Sequence, residues 1–554
     1  MALIFIENLF YNFFSILIIS ISVCGTGILL NKFYKIGYKL EELFFYGLFI
    51  KIILTLIINI FFSLNIYLNT FLIILGFFFF FQNFKNINIS NNFNFLIFLP
   101  LIAIISLRDG LLFDNLLYHI PLINLAIESN YDLGQSNLNF RFATPTFIFN
   151  IYSSLYLPIL KYNSLSLLNS TAFLFLIKFI NDKSIKVDLI SENIHKLLLF
   201  ILLMDALIHP NGLGIFLNRL GLPEFDLLVG FLHIYFVFFI AKNIQKIYIN
   251  NVFYLIILSA LIFLIKPTIF SIIFLFFWTF ALNKKKIIYL LKKNIINFIL
   301  LVLFFILFFI KIFLDTGCIY PFFSLTCFNV SWYTPDIIKE LSMSSISWKG
   351  YTTNVTSLAD FTWVKYWFTN FFLTTAYFNY FLILIFINIL FFFKAKKNYE
   401  KIKKNDVWLK IIIFHFISLF LWFFSSPDIR FVWSTLLLIY AYLTFTIIKR
   451  LDLTQIFMNL FKRAKTIFFI LLLLLSFKNI YFISFENLEN KFLKKNDYEL
   501  FVNKNNIKIN HIVINNYSKY KVCGFTPNPC INDKYLRNHL NYKSRFIFGE
   551  YSFK

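Results

Sequence analysis

The chain has 554 residues, of which 59% are hydrophobic, 21% aromatic and only 14% charged, with a mean hydropathy of +0.75. That composition excludes a soluble globular protein, and repeated runs of roughly 17 to 25 apolar residues predict a single polytopic bundle of membrane helices. A formal charge of +24 would suit a polyanion binder, but the lysines crowd short loops such as NKKKIIYLLKKN and KAKKNYEKIKKND, the pattern of cytoplasmic loops, so nucleic acid is set aside as a partner.

In chain order, about fourteen apolar spans are predicted. They lie near 9–30, 43–63, 67–83, 93–107, 163–180, 195–208, 223–241, 252–265, 268–283, 295–314, 371–394, 408–425, 431–448 and 466–484. The first run lacks a basic leader and a small-residue cleavage site, so it reads as a retained helix. The abundance of Phe, Ile, Asn and Lys reads as coding bias, and aromatic content is no guide to function.

Basic residues fix the sidedness. Lys32, Lys35 and Lys39, Lys242 and Lys246, Lys284 to Lys286, Lys394 to Lys404, and Lys449 to Lys465 mark cytoplasmic loops. Strict alternation leaves no crossing for TPTFIFNIYSSLYLP, residues 144–158, and the run at 144–160 is therefore expected to be re-entrant or interfacial. Both termini then fall outside the cytoplasm, with the longer polar segments 108–143, 315–370 and 485–554. The last of these has a soluble composition, with a strand-like alternation in NIKINHIVINNYS. The expected fold is an all-α transmembrane bundle with a small outer α+β segment at its C-terminal end.

Cysteine spacing agrees with that sidedness. Cys318 and Cys327 share one outer segment and Cys523 and Cys530 another, and an oxidising compartment would staple each pair; free thiols are the alternative. Cys24, inside the first span, reads as a small packing residue. No Cys or His cluster has zinc spacing, so no metal site is expected.

Charges at membrane depth are costly and each is a candidate for function. LRDGLLFDNLLYHIPLI follows the fourth span with Arg108, Asp109, Asp114, Tyr118 and His119. On a helix over 114–128, Asp114, Tyr118 and Pro121 fall near one face with His119 adjacent; the other account is that Asp114 caps that helix. Only eight of the 51 basic residues are arginines, yet Arg108, Arg141, Arg219 and Arg430 all fall at predicted outer junctions. Their forked guanidinium groups suit a phosphate or carboxylate. Interfacial snorkelling or a local pair such as Arg430 with Asp428 competes with that reading.

Lys266, in LIFLIKPTIF, is expected at an outer turn where a broken helix could meet phosphate, or simply be solvated. Glu224 and Asp226, in GLPEFDLLVGF, begin another span and could contact an acceptor or a cation, or merely suit the helix dipole. Asp205 faces the bundle or pairs with His209, and its role is left open.

FDNLLYHIPLI resembles the first outer loop of bacterial GT-C class glycosyltransferases of the protein O-mannosyltransferase and aminoarabinose transferase type. The likeness continues through NLNFR, GLPEFD, IKPT, CIYPFFSLTCFNVSWYTP, SSPDIRF and the Cys-containing tail, over most of the chain from about residue 100. It implies additional helices over 1–92, a GT-C-like core over 93–484 and a periplasmic segment over 485–554.

What the resemblance implies for function is transfer of a sugar from a polyprenyl-phosphate carrier to a lipid, glycan or protein acceptor of the cell envelope, at the outer face and with inversion. Asp114 would be the general base with Asp109 as its rival, and His119 and Tyr118 would position substrate. Arg108, Arg141, Lys266 and Arg430 would hold phosphate, and Asp226 and Glu224 would contact acceptor or metal. Relatives often carry Asp-Glu where this chain has Asp114 followed by Asn115, so no cofactor is required while a divalent cation is left open. A transporter or flippase for lipid-linked saccharides, or a non-catalytic assembly protein, are the other classes.

Overall fold

The computed structural model describes residues 2–34, 38–87, 94–107, 118–131, 133–137, 140–143, 148–160, 163–181, 189–208, 217–243, 249–266, 269–293, 295–321, 324–339, 341, 362–369, 390, 407–425, 427–451, 453–485, 506–509, 512–515 and 530–532. Helices of six or more residues are numbered in order. They are α1 (Ala2–Tyr34), α2 (Leu40–Phe61), α3 (Ile66–Gln82), α4 (Leu99–Ile105), α5 (Ile120–Glu128), α6 (Ile148–Ser154), α7 (Leu168–Asn181), α8 (Leu189–Ile208) and α9 (Phe225–Asn243). There follow α10 (Ile249–Ile265), α11 (Ser271–Leu282), α12 (Lys284–Lys293), α13 (Ile295–Thr316), α14 (Thr362–Trp367), α15 (Val407–Ser425), α16 (Trp433–Arg450), α17 (Thr454–Phe461) and α18 (Ala464–Phe485).

The helical part is all-α. Among the described residues, five helices are long and apolar enough to cross a membrane by length and composition, within α1, α2, α9, α15 and α18, and shorter apolar helices accompany them. A multi-pass membrane protein follows from those lengths, since about 20 apolar residues span a bilayer core. Beyond α18, three short strands pair by backbone: 506–509 runs antiparallel to 512–515, which runs parallel to 530–532. The expected span at 371–394 lies outside the described residues, and so do Cys523 and the side chain of Cys530.

The expected re-entrant run holds α6, whose seven residues rise about 10 Å, far less than a bilayer core. Every residue from Ile148 to Ser154 is buried. The expected span at 163–180 is interrupted at Leu167, with a single turn Asn163–Ser166 before α7.

Backbone contact organises the N-terminal layer. A methyl group built at Gly25 of α1 would fall inside the van der Waals shell of the Gly76 carbonyl of α3, and one at Gly47 of α2 would do the same to the Val23 carbonyl. Small residues let helices approach this closely where lipid supplies no hydrophobic drive between them. Cys24 is buried in this layer with its Sγ 3.6 Å from the Leu40 carbonyl, a packing role. Lys51 is buried there as well, donating to Ser22 Oγ at 2.8 Å.

The centre of the bundle is α9, whose residues 227–240 are buried without exception. Around it stand α7, α8, α10, α11, α15 and α16. Polar side chains fix the connections. Asn59 donates to the carbonyls of Ala126 and Ser129, and Asn69 to those of Leu64 and Ser153, which ties α5 and α6 to the α2–α3 turn.

Two of the segments expected to be outer are joined at the end of α13. Tyr131 donates to Asp315, which also accepts from Lys311 at 2.6 Å, and Ser136 donates to the Asp315 carbonyl at 2.7 Å. Cys318 and Cys327 form the expected disulfide in the adjoining loop.

Glu41 of α2 and Lys178 of α7 form an ion pair with both side chains buried. Removing one partner of such a pair leaves a charge with no compensation, at about 3–5 kcal/mol, whereas replacing both by apolar groups is close to neutral. Lys178→Met is therefore expected to lower the thermal unfolding midpoint of the detergent-solubilised protein, and Glu41→Leu combined with it to restore most of the loss. Equal midpoints for the single and double variants would refute the pairing argument.

Candidate functional site

The site is built on the start of α9. Asn169 of α7 donates to the carbonyls of Leu222 and Glu224 at 2.7 and 2.8 Å, and Tyr152 of α6 donates to Asn169 Oδ1 at 3.1 Å. This clamp holds the GLPEFD segment where its chain turns into the helix. Asp226 then lies in the first turn, where the helix dipole favours a carboxylate.

Lys266 meets it from the other side. The chain breaks between α10, ending at Ile265, and α11, beginning at Ser271, as the Lys266–Pro267 sequence predicts. The Lys266 ammonium donates to Asp226 and lies 3.5 Å from the centre of the Phe431 ring and 5.0 Å from that of Phe225. An ammonium over aromatic faces is held by their quadrupoles. In this turn, burial pushes the Lys266 amine below its ordinary pKa, and the Asp226 carboxylate works in the opposite direction.

A second pair adjoins the first. Asp428 accepts from the backbone N–H of Arg430 at 2.9 Å and from its Nε and Nη2, each at 2.8 Å. This is the local pairing weighed against phosphate binding from the sequence. The carboxylate is buried, while the Arg430 side chain keeps 27% of its surface exposed. Trp422 and Trp367 donate to the carbonyls of Asp428 and Pro427 at 2.9 Å each and set the segment between α15 and α16. A third, looser pair joins Arg219 to Glu224 at 3.6 Å.

The first outer loop arrives through aromatic contacts. His119 lies 5.4 Å from Phe225 and 5.0 Å from Phe149, and Tyr118 lies beneath the Arg141 guanidinium at 5.2 Å. Tyr118, His119, Arg141, Glu224, Asp226, Lys266 and Arg430 are thus linked through shared neighbours around the start of α9. Arg108, Asp109 and Asp114 lie outside the described residues. No group of three or more metal-ligating side chains occurs among the described residues.

The arrangement concentrates cations at one end of the bundle, and each of Lys266, Arg430 and Arg219 has a carboxylate beside it. An anionic ligand would have to exchange with those carboxylates. The Arg219 and Arg430 side chains are 22% and 27% exposed against 7% for Lys266, so an arriving anion meets the arginines first.

Several participants escaped the sequence reading. Phe225 and Phe431 flank Lys266, and Trp433 donates to the Asp226 carbonyl at 3.3 Å. Each adjoins a charged candidate in EFD or DIRFVW, the signal that could have found them. Farther along the same face of α9, His233 bridges Ser434 and Ser271 at 2.9 Å each and stacks on His415 at 5.2 Å. Ser271 N–H donates in turn to Ser418 at 3.0 Å, so one imidazole ties together α9, α11, α15 and α16. No spacing in the sequence announces that network.

Gly230 lies between Asp226 and His233 because the Trp433 indole occupies the space a Cβ would need. Gly230→Ala is expected to displace the indole, break its bond to Asp226, and cost about 1–3 kcal/mol, the usual penalty of overpacking. A lowered unfolding midpoint with altered tryptophan emission would support this, and an unchanged spectrum and midpoint would contradict it.

Searches against curated proteins and against solved structures return no match. A family model described as Domain of unknown function (DUF8201) matches residues 9–437, which takes in most of α1, all of α2 to α15, both segments joined at the end of α13 and the charged residues around the start of α9. That match covers well over half of the chain, and the protein belongs to the DUF8201 family.

Proposed function

We propose that the protein is an outer-face glycosyltransferase of the bacterial inner membrane, taking sugar from a polyprenyl-phosphate carrier and giving it with inversion to a lipid, glycan or protein acceptor of the envelope. The observation that carries this reading is the gathering of Arg219, Asp226, Lys266, Asp428 and Arg430 from separated parts of the sequence at one end of α9. The other end of α9 carries Lys242, one of the basic residues assigned to the cytoplasmic side, which supports an outer position for the charged centre.

At such a place a lipid-borne phosphate meets cations at headgroup height while its chain stays in the bilayer. Arg430, half-exposed Arg219 and Arg141 offer forked donors, and Lys266 adds a point charge within its aromatic surroundings. In the proposed reaction Asp114 accepts the proton of the acceptor hydroxyl and that oxygen bonds to the anomeric carbon. The bond from carbon to phosphate oxygen breaks, its electron pair stays on the phosphate, and the cations stabilise that charge. His119 and Tyr118, packed on Phe149 and Arg141, would orient the sugar or acceptor at the mouth of the first loop. No cofactor is required in this scheme, and a divalent cation at Asp226 and Glu224 is compatible with it.

The test is direct. Purified protein in liposomes, given a panel of radiolabelled polyprenyl-phosphate sugars and envelope lipid extract, is expected to consume donor. Asp114→Asn is expected to lower turnover by about 10²- to 10⁴-fold, the range for removing a general base. Retained binding of donor with no consumption by the unaltered protein would favour a transporter or assembly role and overturn the enzyme reading.

A further inference from the structure

We infer that the disulfide-closed loop after α13 is a membrane foot, with Ile319, Leu325 and Phe328 seated in the headgroup and upper acyl region of the outer leaflet. The inference needs α13 to cross the bilayer with its start on the cytoplasmic side, and it is independent of the transferase reading. The described residues of the loop are tied to one another. Besides the Cys318–Cys327 bond, Ile319 N–H donates to the Thr326 carbonyl at 3.0 Å and Thr326 Oγ1 donates to the Tyr320 carbonyl at 2.7 Å. Phe328 N–H returns to the Gly317 carbonyl at 2.9 Å, and Phe328 and Trp332 each pack on Phe313 at 5.7 Å.

Among the described residues of this loop, three large apolar side chains stand wholly or partly clear of the protein. Leu325 is 96% exposed, and Ile319 and Phe328 stand 41% and 50% exposed. The ties on either side of Leu325 keep it from collapsing onto the protein, and the three exposed apolar side chains together point to a nonaqueous surface that receives them.

Continuity with α13 names that surface. The helix has 22 residues and rises about 33 Å, the thickness of a hydrocarbon core. Ile295, Ile299, Val302, Leu303, Ile306, Phe309 and Ile310 are exposed along it, and the loop carries apolar exposure past the helix end. The basic helix α12, with exposed Lys284, Lys285 and Lys292, precedes α13 and places its start at the cytoplasmic surface. The loop therefore emerges at the opposite, outer boundary, where Tyr320, Trp332 and Tyr333 form the aromatic belt of such interfaces. The occupant is lipid rather than a second copy because the loop's apolar side chains continue a helix surface that already faces acyl chains.

The experiment uses the full chain in phosphatidylethanolamine–phosphatidylglycerol liposomes. An environment-sensitive fluorescent amino acid replaces Leu325 in one preparation and exposed Asp336 in another. The expected result at 325 is blue-shifted emission, quenched at least threefold more by nitroxide lipid labelled near the headgroup than by aqueous iodide, with the reverse order at 336. In the unaltered protein, hydroxyl-radical footprinting in the same liposomes is expected to spare Leu325 and Phe328 while modifying exposed Pro335. Iodide quenching at 325 equal to that at 336, strong oxidation of Leu325, or protection that appears only as protein density rises and so reports contact between copies would each overturn the proposal.

Discussion

A charge inside an apolar bundle must find an opposite charge or a set of hydrogen bonds, and this constraint shapes the molecule more than any single contact does. Glu41 with Lys178, Lys311 with Asp315, Lys266 with Asp226 and Arg430 with Asp428 all obey it. Each pair except Lys311–Asp315 and Arg430–Asp428 joins different helices or the turns beside them, so satisfying the charges also decides which helices are neighbours. Burying an ion pair contributes little net stability, because desolvation offsets attraction. Its effect is specificity: a bundle built otherwise would leave one of these charges alone.

Much of the architecture was legible because the driving pattern is local. Apolar runs of membrane length announce helices, and the structure has helices at all of the predicted spans that fall within the described residues. The break at Lys266 was legible for a related reason, since Pro267 removes a donor and clashes with the preceding turn. The Cys318–Cys327 pairing followed from short separation within one polar segment.

The site was legible only in part. Sequence shows which residues are expensive to bury but not which partner offsets the cost, because partners come from distant helices. Arg430 with Asp428, two positions apart, was the exception. The joining of Lys266 to Asp226, the Phe431 ring beside the ammonium, and the His233 bridge between serines of two other helices depend on how α9, α11 and α16 cross. Crossing geometry has no local signature in a chain so rich in Phe and Ile. Among the described residues α9 is covered by neighbours on its whole girth, as α7 is, while the start of α9 remains charged.

The contact of α1, α2 and α3 through glycines bears on how such a sequence drifts. A genome that pushes codons toward Phe and Ile can exchange lipid-facing positions such as Phe78 or Ile74 with little penalty, since bilayer tails accept either shape. At Gly25, Gly47 and Gly76 the neighbouring main chain leaves room for a hydrogen atom alone. Compositional pressure should therefore halt at those three sites, which the geometry of the main chain alone keeps as glycine.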